Sequence, residues 1–306
     1  MQKGMEIIMI RSDNHVHTSF STDSDTPMEA MVQRGIELGL DSVCFTDHID
    51  YDFPDTGNGV EFLFEMEPYF EMLSFLQGKY PQFEIRRGVE LGLKPDLAQR
   101  CNALIQTHPF DFVIGSTHLV DDTDPYYPSF WEQFSEKDGI RRYYEITMEN
   151  IRTDTKFDVY GHIDYIIRYT PTQQKNKAQG IIDEAYMDRC FRDSSDMIDE
   201  ILHLLLAKGK GIEVNTAGIK YGLGHTNPQE KVLKRYRELG GEIITVGSDA
   251  HETKHLAYAF EGIPELLRKC GFRYYTEFRK RKPEMIPLRY LPEFLHEESD
   301  IFKCFV

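Results

Sequence analysis

The chain lacks the features that mark several common classes. Its five cysteines (Cys44, Cys101, Cys190, Cys270 and Cys304) are odd in number and include no Cys-x-x-Cys pair. That argues against a disulfide framework or a zinc knuckle and points to a reducing compartment. No apolar run approaches the roughly 18 residues of a membrane span. The apolar stretch near the start is too short for a secretory signal. A cytoplasmic protein with no membrane partner is therefore expected. Basic residues are outnumbered, 35 Lys and Arg against 51 Asp and Glu, for a net charge of −16. Such a surface repels phosphate polyanions, so no nucleic-acid partner is expected. Arg86-Arg87 and Arg279-Lys280-Arg281-Lys282 are short basic clusters, the second read as solvated surface. Internal repeats and low-complexity segments are absent.

What is present is a regular alternation. With 306 residues, 41% of them hydrophobic, the chain can bury a sizeable core as one domain. Seven short apolar runs, near 7–16, 42–46, 84–91, 110–116, 157–161, 211–215 and 242–247, suit buried parallel strands. Helical periodicity marks residues 27–39, 65–79, 94–107, 138–152, 182–208 and 228–239. Thr26-Pro27 reads as a cap followed by proline at the first helical position. In 182–208 the apolar stripe is Ile198, Ile201, Leu202 and Leu205. Strand–helix alternation argues for an α/β domain with a parallel sheet. The expected division is a main domain over 1–282 and a proline-broken, charged appendage over 283–306.

Chemistry-bearing residues gather where the apolar runs end. His15 and His17 are two apart, so on a strand they point the same way and can reach one ion. Asp249 and His251 repeat that spacing near the last run. Glu90, ending the third run, is a natural bridge between two ions, and His48, His118 and His162 add nitrogens. A lone His-x-His is weak evidence; ligand types recurring at successive strand ends are not easily produced by chance. His108, His203, His225, His255 and His296 read as structural or solvent-facing, with His203 packing inside its helix. Two insertions, 49–64 and 119–137, follow strand ends and should cover the site. The second holds Asp121, Asp122, Asp124, Tyr126, Tyr127 and Trp131.

DNHVHTSFSTDSD (13–25), FTDHID (45–50), GVELG (88–92), IGSTH (114–118), YGHID (160–164), EVNTAG (213–218) and GSDAH (247–251) together resemble the polymerase-and-histidinol-phosphatase (PHP) superfamily. The resemblance runs from about residue 12 to 255. Within the superfamily, the wording is most similar to the stand-alone histidinol-phosphate phosphatases of histidine biosynthesis. The resemblance implies a single-domain, distorted (β/α)7 TIM-like barrel holding three divalent metal ions, zinc, iron or manganese. The first ion would take His15, His17, Glu90 and Asp249. The second would take Glu90, His118 and His162, and the third Asp23, His48 and His251. Asp23 stands where many superfamily members have histidine, and Asp25 is a nearby rival. Asp47 would orient His48 or another ligand from outside the ligand shell. The implied reaction is in-line hydrolysis of L-histidinol phosphate by a hydroxide bridging two metals.

A phosphate monoester dianion calls for fixed cations. Arg168, just after Gly161-His162, is the first candidate, ranked with Glu90 and Asp249 as catalytic. Lys220, Asn215 and Ser19 are further candidates for ligand contact. The acidic, aromatic insertion after His118 suits a cationic leaving group bearing a ring, or is simply a folded lid. Three alternatives stay open. One is a PHP phosphoesterase for nucleotides, oligonucleotides or phosphotyrosine; another is a non-catalytic metal-binding module. The third is an amidohydrolase, which commonly uses a bridging carboxylated lysine where this chain offers Glu90.

Overall fold

The computed structural model describes residues 10–54 and 61–288. Residues 7–9 of the first apolar run, the insertion residues Asp55 and Gly57, most of the expected appendage, Cys304 and His296 lie outside the described residues.

The chain forms strands β1 (Ser12–Val16), β2 (Ser42–Phe45), β3 (His48–Ile49), β4 (Glu84–Gly92), β5 (Phe112–Ser116), β6 (Val159–Tyr160), β7 (Gly211–Asn215) and β8 (Ile244–Gly247). They pair in the order β1-β2-β4-β5-β6-β7-β8, with β3 beside the end of β4, and every pairing is parallel. A parallel bridge joins Val16 to Ala250. The Asp249 N–H donates to the His15 carbonyl and the His17 N–H to the Ala250 carbonyl, both at 2.9 Å. These bonds close the sheet into a distorted barrel. Closure hides both sheet faces, which is why the strands read as continuous apolar runs. Val89, Val113, Ile114, Val159, Ile212, Val214, Ile244 and Val246 are fully buried, each contributing about 1.5–3 kcal/mol of hydrophobic stabilisation.

Helices Met28–Glu37, Met66–Lys79, Ala98–Thr107, Glu136–Arg152, Glu184–Ala207 and Glu230–Glu238 lie where periodicity placed them. The stripe Ile198, Ile201, Leu202 and Leu205 is buried as expected. Two local expectations are corrected. Pro27, not Thr26, occupies the cap position of the first helix, which starts at Met28 without a side-chain cap. The Thr26 hydroxyl instead donates to the His251 carbonyl at 2.8 Å. His203 is exposed rather than packed, because the helix turns its apolar stripe away from that position.

Beyond β8 the chain forms an antiparallel hairpin of β9 (Tyr274–Arg279) and β10 (Lys282–Pro287). Its turn caps the N-terminal ends of the barrel strands. Arg279 pairs with Glu84, Arg281 with Asp158, and the Lys280 N–H donates to Asp111. The expected boundary between residues 282 and 283 therefore falls inside a paired hairpin. Above it, the fully buried Arg86 fills the barrel floor, bonded to Ser12, Asn14, Ser42 and the Phe278 carbonyl. This plug leaves the opposite, C-terminal end of the barrel as the open one.

Candidate active site

A cavity of about 900 Å³ opens at the C-terminal ends of the strands, the end where barrel enzymes build their sites. Glu90 lies at its base, fully buried on β4. Its Oε2 is 3.0 Å from His15 Nε2, 3.4 Å from His17 Nε2 and 3.2 Å from His48 Nδ1. Its Oε1 is 3.0 Å from His162 Nε2 and 3.2 Å from His118 Nε2, and accepts a 2.6 Å hydrogen bond from Ser116 Oγ. One carboxylate thus stands between two sets of imidazoles, the position expected of a bridge. Asp249 Oδ1 is 3.5 Å from His17 Nε2 and 3.8 Å from His15 Nε2. Its φ of +54° is a backbone conformation that costs free energy in a non-glycine residue and turns the carboxylate into the cluster.

The third expected group also assembles. Asp23 Oδ2 lies 3.0 Å from His251 Nε2 and 3.8 Å from His48 Nε2; Asp25 approaches neither histidine. His17 also stacks on both His48 and His251, with ring centroids 4.2 Å apart in each case. Nitrogens of His17, His48 and His251 fall within 4.8 Å of one another, as do ligand atoms of His15, His17 and Asp249, and of His48, Glu90 and His118. The geometry therefore draws His17 towards a pair that the resemblance assigned to Asp23.

Behind these residues stands a layer that sequence reasoning only partly found. His15 Nδ1–H donates to Glu213 Oε1 at 2.6 Å, and His118 Nδ1–H to Asp50 Oδ2 at 2.6 Å. His17 Nδ1–H donates to Ser21 Oγ at 3.1 Å, and that hydroxyl donates to Asp47 Oδ1 at 2.7 Å. His251 Nδ1–H donates to the Asp249 carbonyl at 3.1 Å. Each partner selects the tautomer that leaves Nε2 as a lone pair facing the cluster. Asp47 thus acts on His17 through Ser21, with no side-chain hydrogen bond to His48. Glu213 was missed altogether, and Asp50 was assigned to the insertion. The available signal was an acidic residue two positions before a ligand-type residue at a strand end, as in Glu213-Val214-Asn215.

Close packing around this layer requires glycine. A Cβ at Gly247 would collide with His15 and the Glu213 carboxylate, and one at Gly92 with the Asp50 carboxylate.

The electrostatics favour bound cations. Asp47, Asp50, Glu90, Glu213 and Asp249 are all buried, and buried charge is costly unless paired or coordinated. Burial opposes charge on His15, but Glu213, Glu90 and Asp249 outweigh it and hold its pKa well above the ordinary histidine value. The reverse applies at His17, where burial and then the neighbouring His251 and His48 push the pKa well down. His17 Nε2, His48 Nδ1 and His251 Nε2 are buried without a hydrogen-bond partner. Unpartnered imidazole nitrogens facing carboxylate oxygens are a donor set that fits divalent metals.

Arg168, on a short 3-10 helix after β6, lines the cavity with only 3% of its surface exposed. Its Nη2 lies 3.6 Å from Asp249 Oδ2. Its guanidinium sits 4.5 Å from the Tyr165 ring centre, 4.7 Å from Tyr221 and 5.6 Å from Tyr169. Nε and Nη2 have no hydrogen-bond partner. The other three contact candidates are placed differently from Arg168. Asn215 is fully buried, and its amide donates to Glu213 Oε2 at 3.2 Å and Asp249 Oδ2 at 3.3 Å. The Lys220 ammonium donates to the Asp249 carbonyl at 3.2 Å. Both brace Asp249 rather than face the cavity. Ser19 is exposed and does not line the cavity; its N–H closes a turn onto the Thr26 carbonyl. In the second insertion, Tyr126 and Tyr127 line the cavity. Trp131 instead packs on Phe130 and donates its indole N–H to the Pro125 carbonyl at 2.9 Å.

A parallel β/α barrel with an imidazole–carboxylate cluster at its C-terminal mouth defines the class, a barrel protein with a metal-type hydrolytic site. Residues 13–217 match the PHP domain model, and the chain belongs to that family. The histidinol-phosphatase of Lactococcus lactis subsp. lactis is 28% identical over 281 residues, spanning 90% of this chain and 96% of that protein. A probable histidinol-phosphatase of Clostridium acetobutylicum is 29% identical over 263 residues, spanning 85% of this chain and 94% of that one. The crystal structure of the Lactococcus histidinol phosphate phosphatase, complexed with zinc, L-histidinol and phosphate, is similar with a TM-score of 0.78. It covers 90% of this chain and 99% of that one at 28% identity. Among the described residues, no helix is long and apolar enough to cross a membrane.

Proposed function

We propose that this protein is a metal-dependent phosphomonoesterase that hydrolyses L-histidinol phosphate to L-histidinol and phosphate, a step of histidine biosynthesis. The observation that carries the reading is Glu90 set between two groups of imidazoles, beside a buried Arg168 that lines the cavity and has guanidinium nitrogens without a hydrogen-bond partner. Similarity across nine-tenths of the chain to a histidinol-phosphatase supports the substrate.

In this reading three divalent ions, zinc, iron or manganese, are held in overlapping sets. His15, His17, Glu90 and Asp249 serve the first, Glu90, His118 and His162 the second, and Asp23, His48 and His251 the third. Such ions supply water of lowered pKa as nucleophile and neutralise phosphoryl oxygens. The rest of the work falls to the chain. Glu213, Asp50 and the Asp47–Ser21 pair hold His15, His118 and His17 in fixed orientation. Arg168 offers its fork to the phosphoryl oxygens, adding charge-assisted hydrogen bonds to a dianion. The rings of Tyr165, Tyr169 and Tyr221 keep water from that guanidinium and so strengthen its field. Asp23, Asp25, Asp124 and Glu252 also line the cavity. An acidic rim of this kind disfavours a polyanion and suits a small monoester. The four described cysteines are buried and unpaired, which supports a cytoplasmic setting.

The test is phosphate release from L-histidinol phosphate, p-nitrophenyl phosphate and a dinucleotide, with protein loaded in turn with zinc, manganese and iron. The expected result is a kcat/KM for L-histidinol phosphate that exceeds the other two by orders of magnitude. A preference for the dinucleotide, or uniformly feeble rates, would move the function to another branch of the family.

A further inference from the structure

The segment after β5 carries three aspartates with different fates. Asp121 accepts hydrogen bonds from Arg142 at 2.7 and 2.8 Å, and Asp122 pairs with Lys94 at 2.5 Å. Both hold left-handed backbone, with φ of +48° and +58°, so the two ion pairs fasten a strained turn. Asp124 differs. It lines the cavity, and no lysine or arginine among the described residues lies within ion-pair distance of it. One carboxylate oxygen accepts the Tyr126 N–H at 2.8 Å; the other has no described partner. Burial pushes the Asp124 carboxyl up to about 6, against the Tyr126 N–H that it accepts.

A wall of rings connects this carboxylate to the arginine. Tyr165 touches the Arg168 guanidinium and lies 4.9 Å from Tyr169. Tyr169 meets Tyr126 at 5.7 Å, and Tyr126 meets Tyr127 at 5.2 Å. The cavity thus holds a buried guanidinium, 3.6 Å from Asp249, and, on the segment after β5, a carboxylate with no lysine or arginine partner among the described residues. A phosphoester whose alcohol carries a cationic group can use both groups; an alkyl or aryl phosphate without one can use only the guanidinium.

Resting on the function proposed above, the geometry points to Asp124 as the residue that reads the leaving group. Its carboxylate takes an ammonium or imidazolium on the departing alcohol, while the tyrosine wall stacks against a planar ring. This makes Asp124 a specificity residue rather than a participant at phosphorus.

The test is Asp124→Asn in the metal-loaded protein, a near-isosteric change that keeps the acceptor for the Tyr126 N–H. Loss of one charge-assisted contact should lower kcat/KM for L-histidinol phosphate about ten- to a hundredfold, mainly through KM. Turnover of p-nitrophenyl phosphate should stay within about twofold, which also certifies the fold. L-Histidinol should become a correspondingly weaker inhibitor of p-nitrophenyl phosphate turnover. Equal losses on both substrates, or unchanged inhibition by L-histidinol, would overturn the inference. A second pair, O-phosphoethanolamine and ethyl phosphate, separates this idea from the identity of the substrate. Wild type should prefer the charged ester and Asp124→Asn should not, even if L-histidinol phosphate proves a poor substrate. Absence of that preference in wild type would overturn the subsite while leaving the phosphatase reading intact.

Discussion

Glu213→Gln is the sharpest probe of how the site is built. The Glu213 carboxylate is 1% exposed and accepts from three donors: His15 Nδ1–H at 2.6 Å, the His162 backbone N–H at 3.1 Å and Asn215 Nδ2 at 3.2 Å. Glutamine keeps the size but has one acceptor oxygen. If that oxygen turns to His15, the new amide N–H₂ meets the donors of His162 and Asn215. If it turns the other way, His15 must move its proton to Nε2, which points at Glu90 from 3.0 Å. Loss of a partner behind a ligating histidine typically weakens metal binding about 10- to 100-fold, or about 1.4–2.8 kcal/mol. A buried donor left unpaired costs a further ~1–3 kcal/mol of fold stability. The assay is zinc titration against a competing chelator, with metal content measured directly and thermal unfolding of the metal-free protein alongside. The expected outcome is weaker zinc retention together with a lower melting temperature. Zinc affinity within about twofold of wild type, with unchanged melting, would refute the role assigned to Glu213.

Three further outcomes are expected. Arg168→Ala should cost about 2–4 kcal/mol in kcat/KM for phosphate monoesters, with Arg168→Lys recovering only part of it; a loss below about threefold returns Arg168 to a structural role. Gly247→Ala forces a methyl group against His15 and Glu213, so it should lower metal content and destabilise the fold by about 1–3 kcal/mol; normal zinc stoichiometry would contradict that packing. The Glu84–Arg279 pair should make stability pH-dependent in one direction. Burial opposes charge on Glu84, but the hydrogen bonds from Arg279 outweigh it and set its folded pKa below 4.5. A depressed folded-state pKa contributes stability that is complete above the unfolded value and lost as pH falls through the folded one. Melting of wild type and Glu84→Gln should therefore diverge above about pH 5, by about 1 kcal/mol or less after solvent screening, and converge in stronger acid; parallel curves would exclude the pair as a source of stability.

The barrel was legible because parallel closure leaves a strong trace. Strands buried on both faces become apolar runs, and seven of those runs coincide with β1, β2 and β4 to β8. The candidate ligands were legible because they stand where such runs stop. Less legible were residues whose role depends on what lies across the barrel. Glu213 looks like one acid inside an apolar strand until β1 brings His15 beside it. Asp50 looked like the start of a loop because the two-residue β3 carries the chain one step further before it leaves the barrel. Lys220 and Asn215 seemed free to meet a ligand, yet the turn after β7 folds both onto Asp249. The hairpin of β9 and β10 escaped notice because its exposed strand is broken by prolines and charge, and its partners are acids at the distant strand starts.

Trp131, one of the rings of the second insertion, braces that segment rather than lining the cavity. That has a practical consequence. It is the chain's single tryptophan, and its indole is bonded to the carbonyl of Pro125, the residue after Asp124. Ultraviolet emission excited at the indole band therefore arises from one place, a step along the backbone from the carboxylate that faces the leaving group. Any rearrangement of that segment on filling the cavity should alter the emission, so the unmodified protein carries its own optical gauge of occupancy.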